Sequence, residues 1–335
     1  MKEESMNRLR RRDTLVGVLG ALALTAGHRH AWSQPLAWPN RPLRWLVASP
    51  PGGAGGGIAR VVAAQLSKQL GQPVQIENRA GGSGIIAAQA AISSPADGYT
   101  LLSANNGLLI YNVGLFRKLP YDPKKDLMPI GMVSRIPLLI LSSKTSRFTR
   151  IEQMIDEARR APGSISYASP GTGTPHHLAM EMLKHQARLD LVTVQYPGFS
   201  KAFQDMMAGQ IELTVLDMAS ASAQVKAGNL RPLATFSRSR LASLPDVPTL
   251  MELGLVDIAP IAWQSLVTVA NTPPEIQARL NAELRTALND PGVRERYAQL
   301  GAEPAPSTID EMRAFVDGGA GYWSDLVRKL NVTVD

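Results

Sequence analysis

The run Leu46-Val47-Ala48-Ser49-Pro50-Pro51-Gly52-Gly53 returns, altered, as Ile165-Ser166-Tyr167-Ala168-Ser169-Pro170-Gly171-Thr172-Gly173. In each copy a β-prone run ends in Ala-Ser-Pro, passes into glycine and leads to a helical pattern. Gly and Pro are ordinary punctuation between strand and helix, so a single copy says little. Two copies about 120 residues apart suit two α/β domains, each presenting the same kind of loop. Chance repetition is the competing reading. In open α/β sheets, ligands bind beyond the carboxyl ends of strands, at the mouths of such loops.

Outward from these copies, short β-rich runs alternate with helical patterns, which predicts an α/β chain with mostly parallel strands. Strands are expected at Leu43–Val47, Val74–Glu77, Tyr99–Leu102, Leu138–Leu141, Ile165–Ala168, Val192–Gln195, Ile211–Leu216, Arg231–Thr235 and Ser265–Ala270. Ser49 to Gly57 reads as a loop before a helix at Ile58–Leu70, and Arg79 to Gly84 as a loop before a helix at Ile85–Ile92. Further helices are expected at Ile151–Arg160, His176–Gln186, Ser200–Ala208, Ala221–Ala227, Pro274–Leu288, Gly292–Leu300 and Ile309–Leu330.

The 335 residues leave room for about two domains. The absence of cysteine excludes thiol catalysis, disulfides, iron–sulfur clusters and cysteine-type zinc sites. Residues 1–33 read as an export signal: Arg10-Arg11-Arg12, an apolar run from Leu15 to Ala26, then Ala31-Trp32-Ser33 before Gln34. That run is too short to span a bilayer, and no later one approaches that length. Arg11-Arg12-Asp13-Thr14-Leu15 also fits a twin-arginine signal, with a general secretory signal as the equal alternative. Without this segment, 29 Lys+Arg face 25 Asp+Glu, a net of +4. Such a balance, with 5% aromatics, gives no nucleic-acid footprint.

Glycine lets backbone N–H groups approach a ligand, and a following helix N-terminus adds roughly half a positive charge. Together they hold carboxylate or phosphate without a fixed cation. Three stretches qualify: Gly52 to Gly57, Gly81-Gly82-Ser83-Gly84, and Gly171-Thr172-Gly173-Thr174, the last enriched by the hydroxyls of Ser169, Thr172 and Thr174. Enzyme readings of these loops fail. Gly82-x-Gly84-x-x-Ala87 matches a dinucleotide fingerprint, but residues 100–110 hold no acid for the ribose, and no loop ends in Gly-Lys-Ser/Thr. No Gly-x-Ser-x-Gly elbow is present. His177 and Glu181 could share a helix face, yet His-Glu-x-x-His is absent and no third metal ligand is evident. No residue is assigned to catalysis or metal, and no cofactor is expected. Asp217 ends an apolar strand; it either caps the next helix or holds a ligand amine, hydroxyl or water.

A series of ordered motifs resembles the solute-binding receptors of tripartite tricarboxylate transporters, often called Bug proteins. They are Pro51-Gly52-Gly53 with Ala59-Arg60; Glu77-Asn78-Arg79 with Gly81-Gly82 and Gly84; Pro95-x-Asp97-Gly98-Tyr99-Thr100-Leu101; and Leu119-Pro120-Tyr121-Asp122-Pro123 with Lys125-Asp126. Pro162-Gly163, Tyr167-x-Ser169, Gly171-x-Gly173, His177-Leu178-Ala179, Gln195-Tyr196, Lys226-Ala227-Gly228 and Leu244-Pro245-Asp246-Val247-Pro248-Thr249 follow in order. The resemblance implies a type II periplasmic-binding-protein fold, two α/β lobes with a ligand cleft between them. The lobes would be residues 34–135 with 263–335, and residues 136–262. It also implies a periplasmic receptor, not an enzyme, that captures a small organic carboxylate and delivers it to membrane transporter subunits. The mature chain is expected to be a monomer, neither membrane-integral nor nucleic-acid-binding. A sensory accessory presenting its ligand to a histidine kinase is the alternative, and an α/β cofactor enzyme a weaker one.

By position, the resemblance places ligand contacts at Gly53, Ala54, Gly55, Gly56, Gly82, Ser83 and Asn106 on one lobe. On the other it places them at Ser169, Gly171, Thr172, Gly173, Thr174 and Asp217. The chain departs from the family at Ser49 (commonly Phe), Gly56 (commonly Asp) and Leu108-Leu109 (commonly Thr-His). These departures predict a less polar first-lobe wall and a ligand with one carboxylate and an apolar or aromatic remainder.

Overall fold

The computed structural model describes residues 38–49, 54–196, 198–330 and 332–334. The export segment and Gly53 lie outside the described residues. In chain order the elements begin β1 (Leu43–Val47), α1 (Ala54–Leu70), β2 (Val74–Asn78), α2 (Ile85–Ile92) and β3 (Thr100–Asn105). A π-type turn, Gly107–Tyr111, leads into the single turn α3 (Asn112–Leu115), then α4 (Pro123–Asp126), β4 (Leu127–Ile136) and β5 (Leu138–Ser143). Next come α5 (Ile151–Arg160), β6 (Ser166–Ser169), α6 (Pro175–Ala187), β7 (Val192–Gln195), α7 (Phe199–Met207), β8 (Leu213–Asp217), α8 (Met218–Lys226) and β9 (Leu230–Thr235). The chain closes with β10 (Ala262–Val269), α9 (Pro274–Asn289), α10 (Pro291–Gln299), β11 (Glu303–Pro304) and α11 (Ile309–Lys329).

The strands form two sheets, one in the order β11-β4-β10-β3-β1-β2 and the other β7-β6-β8-β5-β9. β1 reads as a near-continuous apolar run because it runs parallel between β2 and β3 and is buried on both faces. Its Trp45 is fully buried, with the indole N–H donating to Ser103 Oγ at 2.9 Å. α5 shows the opposite economy: Ile151, Met154, Ile155 and Ala158, spaced for one helix face, are buried and the rest is polar. Its start is fastened by Gln153 Oε1, which accepts from the backbone N–H groups of Thr149 and Arg150. α11 opens with a reciprocal cap, Thr308 Oγ1 accepting from Glu311 N–H and Glu311 Oε2 from Thr308 N–H.

Three expectations change. Among the described residues four of the nine strand pairings are parallel, so the sheets are mixed rather than mostly parallel. The antiparallel pairings belong to the strands that run to and from the crossing between the sheets. β4 went unread because Pro129 and Gly131 interrupt it, and both usually break a strand. The sheet accommodates them with two register shifts in the β4–β10 ladder, and Gly131 admits Asn281, Leu284 and the Ser307 carbonyl close to its backbone. Finally, α1 begins one turn early: Gly55, Gly56 and Gly57 are helical rather than loop.

The chain crosses between the sheets twice. Only Pro137 separates β4 of the first sheet from β5 of the second, and residues 236–261 return from β9 to β10. This is the two-lobed α/β fold, with the carboxyl ends of β1, β2 and β6 leading to the glycine loops singled out above and that of β8 ending at Asp217. On the first sheet, α1 packs with α9 and α10, while α11 packs on β4 and the 107–115 segment.

Candidate functional site

On the first lobe the site is built around the start of α1. The first turn of a helix leaves its N–H groups without intrahelical partners, and here Ala54, Gly55 and Gly56 occupy that turn. Gly55 lies close under the side-chain amide of Gln264, the movable end of a flexible side chain, and Ser49 Oγ lies 3.9 Å from where its Cβ would stand. Both neighbours carry a buried polar atom with no partner, Ser49 Oγ and Gln264 Oε1. Such atoms cost free energy unless a ligand or water satisfies them.

The second glycine loop is strained. Gly81, Gly82, Ser83 and Gly84 all have positive φ, Ser83 at 51°, a region where a side chain costs energy. Gly84 tolerates no side chain, because a Cβ would stand 2.9 Å from Leu108 and 3.3 Å from Ala48. The Ser83 carbonyl accepts from Asn112 Nδ2 at 3.2 Å, and Asn112 Oδ1 is buried without a partner.

On the second lobe the loop between β6 and α6 is stitched by its own side chains. Ser169 Oγ and Thr174 Oγ1 donate to the Gly171 carbonyl at 3.4 and 2.8 Å, and Thr174 Oγ1 accepts from His177 N–H as the cap of α6. Gly173 N–H donates to His177 Nδ1 at 3.1 Å, which fixes the ring proton on Nε2. Burial holds His177 below the usual histidine range, against the attraction of Glu181 and helped by Lys184. Glu181 itself accepts from Tyr167, Thr193 and Lys184, so it is a structural acceptor. Thr172, at the tip, is exposed.

Asp217 combines the two roles left open by sequence. It caps α8, accepting from Ser220 N–H at 2.8 Å and Ser220 Oγ at 2.9 Å, and it meets His176 Nε2 at 3.0 Å. Burial works against its charge, but the bond and charge of His176 together with Ser220 outweigh it and hold the carboxyl below the usual aspartate range. His176 Nδ1 is buried and has no partner.

The lobes meet at two places flanking these groups. Gly173 approaches Leu115 so closely that a Cβ would lie 2.6 Å from Leu115 Cδ1. Leu115 ends the turn begun by Asn112, so this contact brings the Ser83 loop to the Gly171–Thr174 loop. Gly301 likewise lies against the Met218 carbonyl, 3.0 Å from its would-be Cβ, next to Asp217; the adjoining Leu300 touches Gly57 of α1.

Two expected features of the pocket fall elsewhere. Asn106 has its amide fully engaged: Nδ2 donates to Tyr111 Oη and the Ile261 carbonyl, and Oδ1 accepts from Trp263 N–H. It fastens the crossing segment. Leu108 and Leu109 are both buried; Leu108 lies against Gly84, and Leu109 lines a separate hollow with Pro123 and Met128. Neither makes the exposed apolar wall their sequence suggested. Conversely, His176 and Gln264 went unmarked because nothing in their local sequence signals an orphaned polar atom. His176 followed a Thr-Pro helix start, a position that faces whatever lies beyond the strand ends.

Among the described residues no helix is long and apolar enough to cross a membrane. Residues 58–332 match the family model described as tripartite tricarboxylate transporter family receptor. A Pseudomonas relative, the UPF0065 protein in the tcbD-tcbE intergenic region, is 34% identical over 318 residues, covering 95% of this chain and 94% of its own. The structure of R. palustris Rpa4515 with adipate superposes with a TM-score of 0.81 at 29% identity, covering 89% of this chain and all of that one. MatC from Rhodopseudomonas palustris with bound malate gives 0.75 at 28% identity, covering 87% of this chain and all of that one. The chain therefore belongs to the tripartite tricarboxylate transporter receptor family, whose members are periplasmic solute-binding receptors and not enzymes.

Proposed function

We propose that this chain is an exported receptor that closes two lobes, residues 34–135 with 263–335 and residues 136–262, on a small dicarboxylate and delivers it to membrane transporter subunits. The observation that carries the reading is the open first turn of α1 at Ala54, Gly55 and Gly56 together with Ser49 Oγ beside it, a buried hydroxyl that has no partner among the described residues and can donate to an anion. First-turn amides of Ala54, Gly55 and Gly56, with Gly53 before them, suit one carboxylate. The backbone of Gly82 and Ser83 and of Gly171 and Thr172 suits the other end. Two polar ends fit this cleft better than the apolar remainder expected from Leu108 and Leu109, since those side chains are buried elsewhere. The ligands of the two Rhodopseudomonas structures, adipate and malate, support the same class. Ligand affinity sets the closed population, because a ligand touching both lobes stabilises only the arrangement in which both reach it.

Native mass spectrometry of the purified protein, followed by calorimetric titration with adipate, malate, succinate, citrate, benzoate and nicotinate, tests this. Binding of one or more dicarboxylates, weakened in a Ser49→Ala variant, is the expected result. Tight binding of benzoate or nicotinate with silent dicarboxylates overturns the ligand class.

A further inference from the structure

A cavity of about 800 Å³ opens between α11, the crossing strand at Arg135 to Pro137 and the return segment 237–261. It is separate from the cleft, and β10 shows why. Successive strand residues point to opposite faces. Gln264 reaches toward Gly55 of α1, whereas Trp263 packs edge-on against Phe315 of α11, with ring centroids 5.4 Å apart. The cavity is on the Trp263 face. Its volume is in the range of sites for drug-sized molecules.

Its lining has two chemistries. Aromatic rings from α11 and β10 form a wall: Trp323 contacts Tyr322 at 5.3 Å, and Phe315 completes the pair with Trp263. At the rim stand Arg135 and Arg238, both exposed, and neither guanidinium has a hydrogen bond or ion pair among the described residues. Arg240 beside them is paired with Glu252, and Glu303 is the carboxylate among the lining residues. The balance favours an anion. Gly318 leaves open space along the same wall, as Gly321 does elsewhere on the helix. A glycine inside a helix costs about 1 kcal/mol relative to alanine. Next to it, Gly319 is demanded by packing, since a Cβ would meet Ile110 at 2.9 Å. At Gly318 a Cβ would meet nothing within 4 Å, so no packing inside the protein calls for it. The bare backbone there leaves room for a flat ring to lie on the helix.

We propose that this cavity is a second binding site, for an aromatic carboxylate, with the ring held by the α11 wall over Gly318 and the carboxylate by Arg135 and Arg238. The site is independent of the ligand proposed for the cleft. 2-Naphthoate is the probe, followed by calorimetry and by tryptophan fluorescence, since Trp263 and Trp323 line the cavity. One equivalent binds, 2-naphthylmethanol binds at least tenfold more weakly, and saturating malate or adipate does not displace the probe. Gly318→Leu fills the space and abolishes probe binding while raising or preserving the melting temperature, because leucine favours the helix. Arg135→Ala with Arg238→Ala, both at exposed positions, weakens the probe at least tenfold without changing the fold. Naphthoate binding that survives Gly318→Leu, displacement by a dicarboxylate, or no binding at about 1 mM overturns the proposal. A cleft that binds no dicarboxylate leaves these outcomes readable, because none depends on it.

Discussion

The two Ala-Ser-Pro copies end in loops that the protein uses differently. The second is finished before any ligand arrives: Ser169, Thr174 and His177 take up its carbonyl and amide groups, and Thr174 caps the helix. At the helix start that follows the first, groups stay open. Its glycines enter α1, and the nearby Ser49 and Gln264 keep polar atoms without partners. Two strand–loop–helix units with similar sequence thus differ in how their polar groups are used. Loop 171–174 is set by internal hydrogen bonds, whereas in the proposed reading the groups beside α1 are completed by a bound solute. Preorganising one side lowers the entropy lost on binding, while orphaned groups on the other reward a ligand that satisfies them.

The largest test of that division is Gly173→Val. The residue has φ +71° and lies against Leu115 across the lobes. Gly209→Ala serves as its control, with φ +73° and nothing within 4 Å of its Cβ. Backbone strain of about 1–3 kcal/mol is common to both. Gly173→Val should in addition weaken the cleft ligand at least tenfold by calorimetry, and Gly209→Ala should leave affinity unchanged. Equal affinities in the two variants would mean that the Leu115 contact plays no part in closure.

Asp217→Ala should cost about 1–2 kcal/mol of stability through the lost α8 cap. Its charge also has a pH signature. A carboxyl depressed in the fold contributes stability above the ordinary aspartate range and loses it as pH falls through the depressed value. Asp217→Asn should therefore flatten the acid limb of the melting-temperature profile, and an unaltered limb would contradict the assignment.

His177 acts in a milder window. Its depressed value means the unfolded chain takes a proton that the fold refuses, so stability is full above about 6.5 and falls as pH drops from there toward the depressed value. His177→Asn, whose Oδ1 can still accept from Gly173 N–H, should remove that slope. The smallest effect is expected at Gly55→Ala. The Gln264 amide it meets is the end of a flexible side chain and can move, so stability should change by less than about 0.5 kcal/mol. Ligand affinity should nevertheless fall several-fold, and an unchanged affinity would remove Gln264 from the site.

α2, α5 and β7 match their expected bounds, and in α5 the spacing of apolar residues coincides with the buried face. Where tertiary contact overrode the local signal, the reading failed. Pro129 and Gly131 hid β4, whose pairing survives through register shifts. The glycines after Gly53 read as loop, yet Gly55, Gly56 and Gly57 form the first turn of a helix. The candidate site divides the same way. Glycine-loop positions are proposed from residue type, whereas the partners of the Asn106 amide, Tyr111, Ile261 and Trp263, appear only in the fold. Of these partners, Ile261 and Trp263 lie more than 150 residues away.

By itself the sequence determined an α/β chain with paired glycine loops at strand ends and the family to which the motif order points, because these depend on local backbone preference and on residue type. Only the tertiary structure decided which loop is self-satisfied and which polar atoms are left waiting. It also decided that Trp263 and Gln264, neighbours in the chain, serve opposite faces of one sheet. Hydrogen-bond satisfaction is a property of three-dimensional neighbours, and no spacing along the chain specifies whether a buried oxygen or nitrogen finds a partner.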